Sequence, residues 1–161
     1  MKPYLLDEDV ALIRDLIKDK EVKLAGLGPK LGDAMSRSGS FPASNPEYAA
    51  VHLEMKNVEN KLGYLKDILN KYRVVNKSDI DENVINTYSL VELKDQEAGS
   101  IVKYYICPAE LESKCADGFL AASPESPVGA TLLGHKTGDL VNIVLPTGQK
   151  SYKVISNTKK Y

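Results

Sequence analysis

Residues 39–48 read Gly-Ser-Phe-Pro-Ala-Ser-Asn-Pro-Glu-Tyr. Two hydroxyls, Ser40 and Ser44, bracket Phe41-Pro42, and Glu47 is the only carboxylate of the stretch. Ser44-x-x-Glu47 has the spacing of a capping box, with an acid placed to favour the start of a helix dipole. An exposed Phe41 is costly without a partner, which favours a contact there. Other groups able to do chemistry are few. Cys107 and Cys115 are the only cysteines, His52 and His135 the only histidines, and no zinc spacing joins them. Two reduced thiols are expected.

These residues need elements to position them, and the chain has two halves of different period. Leu6, Val10, Ile13, Ile17, Leu24, Leu27, Leu31 and Ala34 recur at steps of three and four, with Lys20 in the one slot that fails. Asp7 suits an N-cap, followed by Glu8 and Asp9. Gly26-Leu27-Gly28-Pro29 predicts a kink or break near residues 25–28. A second seam runs through Tyr48, Val51, Met55, Val58, Leu62, Leu65, Leu69 and Tyr72 without a miss. Two such helices with a short connection pack antiparallel. The expected unit is a coiled-coil hairpin over residues 1–75 with its tip at 37–46, projecting as an arm.

Beyond Arg73–Ser78 the pattern turns to strands: 84–93, 100–107, 140–145 and 152–155, the last two joined by Pro146-Thr147-Gly148-Gln149. Residues 127–133 read as a short helix, with Ser126 as cap, Pro127 at its first position and Gly134 as stop. Residues 81–161 are thus a small α+β domain. The chain has 161 residues, 43 % hydrophobic and 27 % charged, with net charge −1. That composition is globular and carries no nucleic-acid signature in its balance. No apolar run approaches the ~20 residues that span a bilayer. The start, MKPYLLDEDVALIRD, lacks a signal-peptide core. A cytoplasmic protein without a membrane partner is expected.

The stretch Ser123-Pro-Glu-Ser-Pro-Val-Gly-Ala-Thr-Leu-Leu-Gly-His-Lys-Thr-Gly-Asp-Leu-Val, followed by Leu145-Pro-Thr-Gly and Tyr152-Lys-Val-Ile, resembles the C-terminal domain of the bacterial Gre transcription elongation factors. The hairpin is similar too, with Asn45-Pro46-Glu47-Tyr48 opening its second helix. The resemblance implies an FKBP-like second domain that docks on the rim of the RNA polymerase secondary channel. Ser123, Pro124, Glu125, Ser126, Pro127 and Val128 would lie at that docking surface; helix capping is the structural role of Ser126 and Pro127. The hairpin would enter the channel, where Arg37, Ser40, Phe41, Ser44, Glu47 and Tyr48 are the candidate tip contacts. Nascent RNA or DNA of the elongation complex is a further candidate contact. Arg37, Lys18, Lys20, Lys23 and Lys30 either meet an acidic channel wall or RNA phosphates, or form a charged solvent face, with Lys20 marking register.

In cleavage-competent members the tip reads Gly-Asp-x-x-Glu-Asn-x-Glu-Tyr. The Asp and the first Glu help hold a catalytic Mg²⁺, a hard cation that wants charged oxygens. Here Gly39 aligns with the family glycine, Ser40 with the Asp and Ser44 with the Glu, with one residue inserted between them. Two negative charges become two neutral hydroxyls. The hairpin is also about a turn shorter between Pro29 and Gly39 than the family pattern. The expectation is a polymerase-binding regulator with no catalytic residue, metal site or cofactor of its own, which does not stimulate cleavage. The alternatives are a cleavage factor using Glu47 and Asp33, or a prolyl isomerase or chaperone with an aromatic pocket around Phe119.

Overall fold

The computed structural model describes residues 1–37 and 45–161. The chain divides into two compact units. Met1–Asp9 and Tyr72–Tyr161 form one, and Val10–Lys71 form the other. The first nine residues thus belong with the sheet.

The helical unit comes from α1 (Asp7–Arg37, whose first three residues group with the sheet) and α2 (Pro46–Lys71). At 1.5 Å per residue these are roughly 46 and 39 Å long. They run antiparallel, since early residues of α1 meet late ones of α2. Glu21 pairs with Lys66 at 2.7 Å, Lys23 with Glu54 at 2.7 Å and Arg37 with Glu47 at 3.2 Å. Leu27, Val58 and Leu62 are buried between the helices, flanked by half-buried Ile17, Leu24, Val51 and Met55. Val10, Ile13, Ala34 and Leu65 are buried as well, so one stripe of each helix is withdrawn from water. Lys20 is half-buried, as a seam position requires.

Two expectations for α1 fail. Of the kink or break expected near residues 25–28, the break does not occur: the helix runs through Pro29. The seam contacts of Leu24 and Leu27 hold the turn whose hydrogen bond proline removes, and Pro29 itself is exposed. Asp7 is the first helical residue rather than the cap. In α2 the buried position is Ile68, while Leu69 is half-buried.

The sheet unit contains two short parallel strands, β1 (Tyr4–Leu6) and β2 (Arg73–Val75), with Tyr4 opposite Arg73. The main sheet has β3 (Ser89–Asp95), β4 (Ile101–Ile106), β5 (Leu120–Ala122), β6 (Leu140–Leu145) and β7 (Gly148–Lys159), in the order β5-β4-β3-β7-β6. All pairs are antiparallel except β4 with β5. α3 (Pro127–Leu132) covers one face. Leu132 packs there with Val91, Leu93, Ile106, Val141, Ile143 and Val154. The β6–β7 turn is Pro146-Thr147, with Gly148 at φ 120°, where glycine is favoured.

Residues 84–88 are not part of a strand. Tyr88 has φ 68°, in the left-handed region, so the extended run cannot begin before Ser89. Upstream, the Ile85 N–H donates to the His135 carbonyl, and the Gly134 N–H donates to the Ile85 carbonyl. Among the described residues no helix is long and apolar enough to cross a membrane.

Candidate functional site

Ser40, Phe41 and Ser44 lie outside the described residues. α2 starts on an Asn-Pro step: Asn45 Oδ1 accepts the Glu47 N–H at 2.9 Å, and Pro46 takes the first helical position, where no N–H is needed. Asn45 is therefore the cap. Ser44, the other member of the expected box with Glu47, lies outside the described residues. Asn45 Nδ2 also donates to the Ala34 carbonyl at 3.1 Å, which ties the end of α1 to the start of α2. The Glu47 carboxylate accepts two bonds from Arg37 Nη1, at 3.2 Å each. Both side chains are at least half exposed, so the pair adds little stability. Its effect is electrostatic. The one carboxylate of the stretch is matched by a guanidinium. Tyr48 is half-buried, with its ring stacked on His52 at 5.9 Å.

The remaining α1 candidates are dispersed. Lys23 is paired with Glu54, and that bond holds the glutamate carboxyl below its ordinary value. Lys18 and Lys30 are exposed. Asp33 is exposed too, and its backbone carbonyl accepts the Ser36 hydroxyl. Among the described residues no group of three or more His, Cys, Asp or Glu could hold a metal ion.

The Ser-Pro segment is a tight knot in the sheet unit. Ser126 Oγ accepts the Gly129 N–H at 3.0 Å, the capping bond expected of it, and donates to the Ser123 carbonyl at 2.7 Å. Ser123 Oγ accepts the Ser126 N–H at 3.1 Å. A Cβ on Gly129 would collide with the Ser123 carbonyl, so the residue must be glycine. Pro124 is buried, and half-buried Val128 packs on the core. Glu125 and Pro127 alone of the six are exposed. The segment is a rigid platform that presents an acid and a proline ring. Phe119 lies under Lys103, 5.5 Å from the ring centre. Cys107 is a buried free thiol, pushed by burial up to about 12, and Cys115 is also unpaired.

One polar centre has no counterpart in the sequence patterns. Asp9, 2 % exposed, accepts the Tyr88 hydroxyl at 2.7 Å and pairs with Lys114 at 2.9 Å. The Tyr88 hydroxyl in turn accepts the Leu6 N–H at 2.9 Å. An acid in a first helical turn signals a dipole role, and nothing local marks it as buried.

Residues 80–159 match the family model for the C-terminal region of the transcription elongation factors GreA and GreB. A GreA of Alkaliphilus oremlandii is 34 % identical over 118 residues, covering 73 % of this chain and 72 % of the relative. A GreA of Acetivibrio thermocellus is 29 % identical over 148 residues, covering 92 % of this chain and 90 % of its own. Among solved structures, GreA factor homolog 1 (Gfh1) of Thermus thermophilus aligns with TM-score 0.48 and 21 % identity, over 98 % of this chain and 99 % of that one. It is on the sequence relatives, which span both units, that the assignment rests: this chain belongs to the GreA/GreB family of transcription elongation factors.

Proposed function

We propose that the protein binds RNA polymerase through the Ser123–Val128 platform of its sheet unit, places its hairpin in the secondary channel, and regulates elongation there without stimulating transcript cleavage. The observation that carries this reading is the charge state of the tip within a family framework. Ser40 and Ser44 stand where the cleavage-competent pattern has carboxylates, and Arg37 is bonded to Glu47, the one acid nearby. A second Mg²⁺ in a phosphoryl-transfer site needs charged oxygens to stay. This tip offers neutral hydroxyls and an acid already matched by a cation. Its action is then occupancy, which blocks backtracking, competes with cleavage-active family members or alters nucleotide entry.

The test uses a purified backtracked elongation complex. Added protein is expected to bind the polymerase and to leave the rate of RNA 3′ shortening at that of polymerase alone. In a mixed reaction it is expected to slow cleavage by an active Gre factor in proportion to its concentration. Glu47→Gln is expected to change neither result. Shortening that rises with the added protein and is lost in Glu47→Gln would instead establish the alternative acidic set of Glu47 and Asp33. Failure to bind polymerase at all would remove the proposal.

A further inference from the structure

The sheet unit holds a cavity of about 370 Å³ beside β1 and β2, within the range of small-molecule sites. Met1, Tyr4 and Val84 give it apolar walls, and its charged groups come in two opposite pairs: Lys2 and Arg73, Asp79 and Asp81. Among the described residues, none of these cations reaches either acid within ion-pair distance. The acids are held by their own turns. Asp79 accepts from Asn76 Nδ2 and the Ser78 hydroxyl, and Asp81 Oδ1 accepts the Asn83 N–H at 2.9 Å. Both signs of charge thus line one cavity without pairing with each other.

A second, independent observation is Tyr4. It is 6 % exposed, lines the cavity, and its hydroxyl has no hydrogen-bond partner in the protein. A buried hydroxyl left without a partner is costly. Burial holds this phenol above its ordinary value, Tyr161 and Asp81 add to the effect, and Arg73 opposes it. The fields of an acid and a base on the cavity wall therefore both reach the orphaned hydroxyl.

A simple anion would meet Asp79 and Asp81, and a simple cation would meet Lys2 and Arg73. A ligand carrying both charges can pair with both sets of side chains, and its apolar part can lie against Met1 and Val84. We infer that this cavity binds a small zwitterion of the amino-acid class, its carboxylate toward Arg73 and Lys2, its ammonium toward Asp79 and Asp81, and a polar atom within reach of the Tyr4 hydroxyl. The inference is independent of polymerase binding.

The test is calorimetric titration of the full chain with each of the twenty free L-amino acids. Any that binds is then compared with its N-acetyl and carboxamide derivatives, each of which lacks one charge. At least one free amino acid is expected to bind, with each derivative weaker by about tenfold or more. Arg73→Gln and Asp81→Asn should each weaken it by a similar factor. Tyr4→Phe should weaken it about five- to tenfold. It should not lower the Tm of the free protein, because the hydroxyl has no protein bond to lose. No binding at about 10 mM of any amino acid, a range in which even millimolar affinity is visible, would overturn the site. Equal binding of a singly charged derivative, or a Tm lowered by Tyr4→Phe, would do the same.

Discussion

The Lys159 side chain is the clearest case of a single residue whose surroundings change its chemistry. Its ammonium donates to the Val84 carbonyl at 2.7 Å and to the Ser89 hydroxyl at 2.6 Å, pinning the end of β7 to the turn before β3. Burial lowers its affinity for the proton to about 8, against the pull of Asp81 and Glu82. The unfolded chain keeps that proton up to the ordinary value of 10.5. Between about pH 8 and 10.5 the unfolded state therefore binds more protons, and this lysine makes stability rise with pH. Cys107 acts the other way. Its buried thiol holds its proton to about 12, while the unfolded thiol releases it near 9, so its contribution falls as pH climbs past 9. Burial pushes Cys115, Tyr88 and Tyr105 in the same direction as Cys107. The urea midpoint is expected to rise between pH 8 and 9 and to fall above that. Lys159→Met should abolish the rise and leave the fall. A wild-type midpoint that is flat or falling from pH 8 to 9 would contradict the assignment.

At the scale of elements, the Ser-Pro knot separates capping from backbone clearance. Ser126→Ala removes the capping bond and the hydroxyl's bond to the Ser123 carbonyl, and is expected to cost about 1–2 kcal/mol in urea denaturation. Gly129→Ala must push the Ser123 carbonyl aside, and is expected to cost about 2–3 kcal/mol, as backbone clashes in packed regions do. If the segment docks on polymerase, Gly129→Ala should weaken binding more than Ser126→Ala, since it moves the platform that carries Glu125 and Pro127. This knot is legible in the sequence because its signals are local: a serine cap, a proline at the first helical position and a glycine stop. So is α2, whose seam misses no step, and so is β6, while of β7 only 152–155 is legible within Gly148–Lys159. Other features are not legible because their causes are distant. The β1–β2 pair joins Tyr4 to Arg73, and no window contains both. The run Val84–Tyr88 has strand composition, but Ile85 bonds to the segment after α3 and Tyr88 turns left-handed. At the tip, the lack of any Asp or Glu between Gly39 and Pro46 is read directly from the sequence. The bond from Arg37 to Glu47 is not, because it depends on where α1 ends and α2 begins. Once Asn45-Pro46 is taken as cap and first turn, the position of Glu47 follows.

For the whole molecule, the division into units makes the hairpin an insertion. β1 precedes it and β2 follows it, yet the two strands pair in parallel within the sheet unit. Beyond the ladder, the Arg73 N–H donates to the Pro3 carbonyl at 2.9 Å. The Asp9 carboxylate, bound by Tyr88 and Lys114, anchors the same N-terminal stretch. These bonds depend on Met1–Asp9 being present and not on residues 10–71. The sheet unit also owns a continuous apolar core running from Ile85 to Val154. Among the described residues the hairpin buries Val10, Ile13, Leu27, Ala34, Val58, Leu62, Leu65 and Ile68, a single stripe along each helix, with half-buried neighbours. Isolated helices gain most of their stability from packing an apolar face, and a seam this thin is marginal. A chain in which residues 10–71 are replaced by a Gly-Ser linker of about eight residues, with a reach of roughly 15 Å, is therefore expected to fold. It should show a cooperative urea transition and dispersed amide resonances. Removing residues 1–9 as well should cost that chain its β1–β2 ladder and the Asp9 bonds, and lower its midpoint. The isolated segment 10–71 should melt broadly, with helix content that falls steadily on warming. A hairpin that melts cooperatively on its own, beside a linker-closed sheet unit that stays unfolded, would reverse this order of dependence.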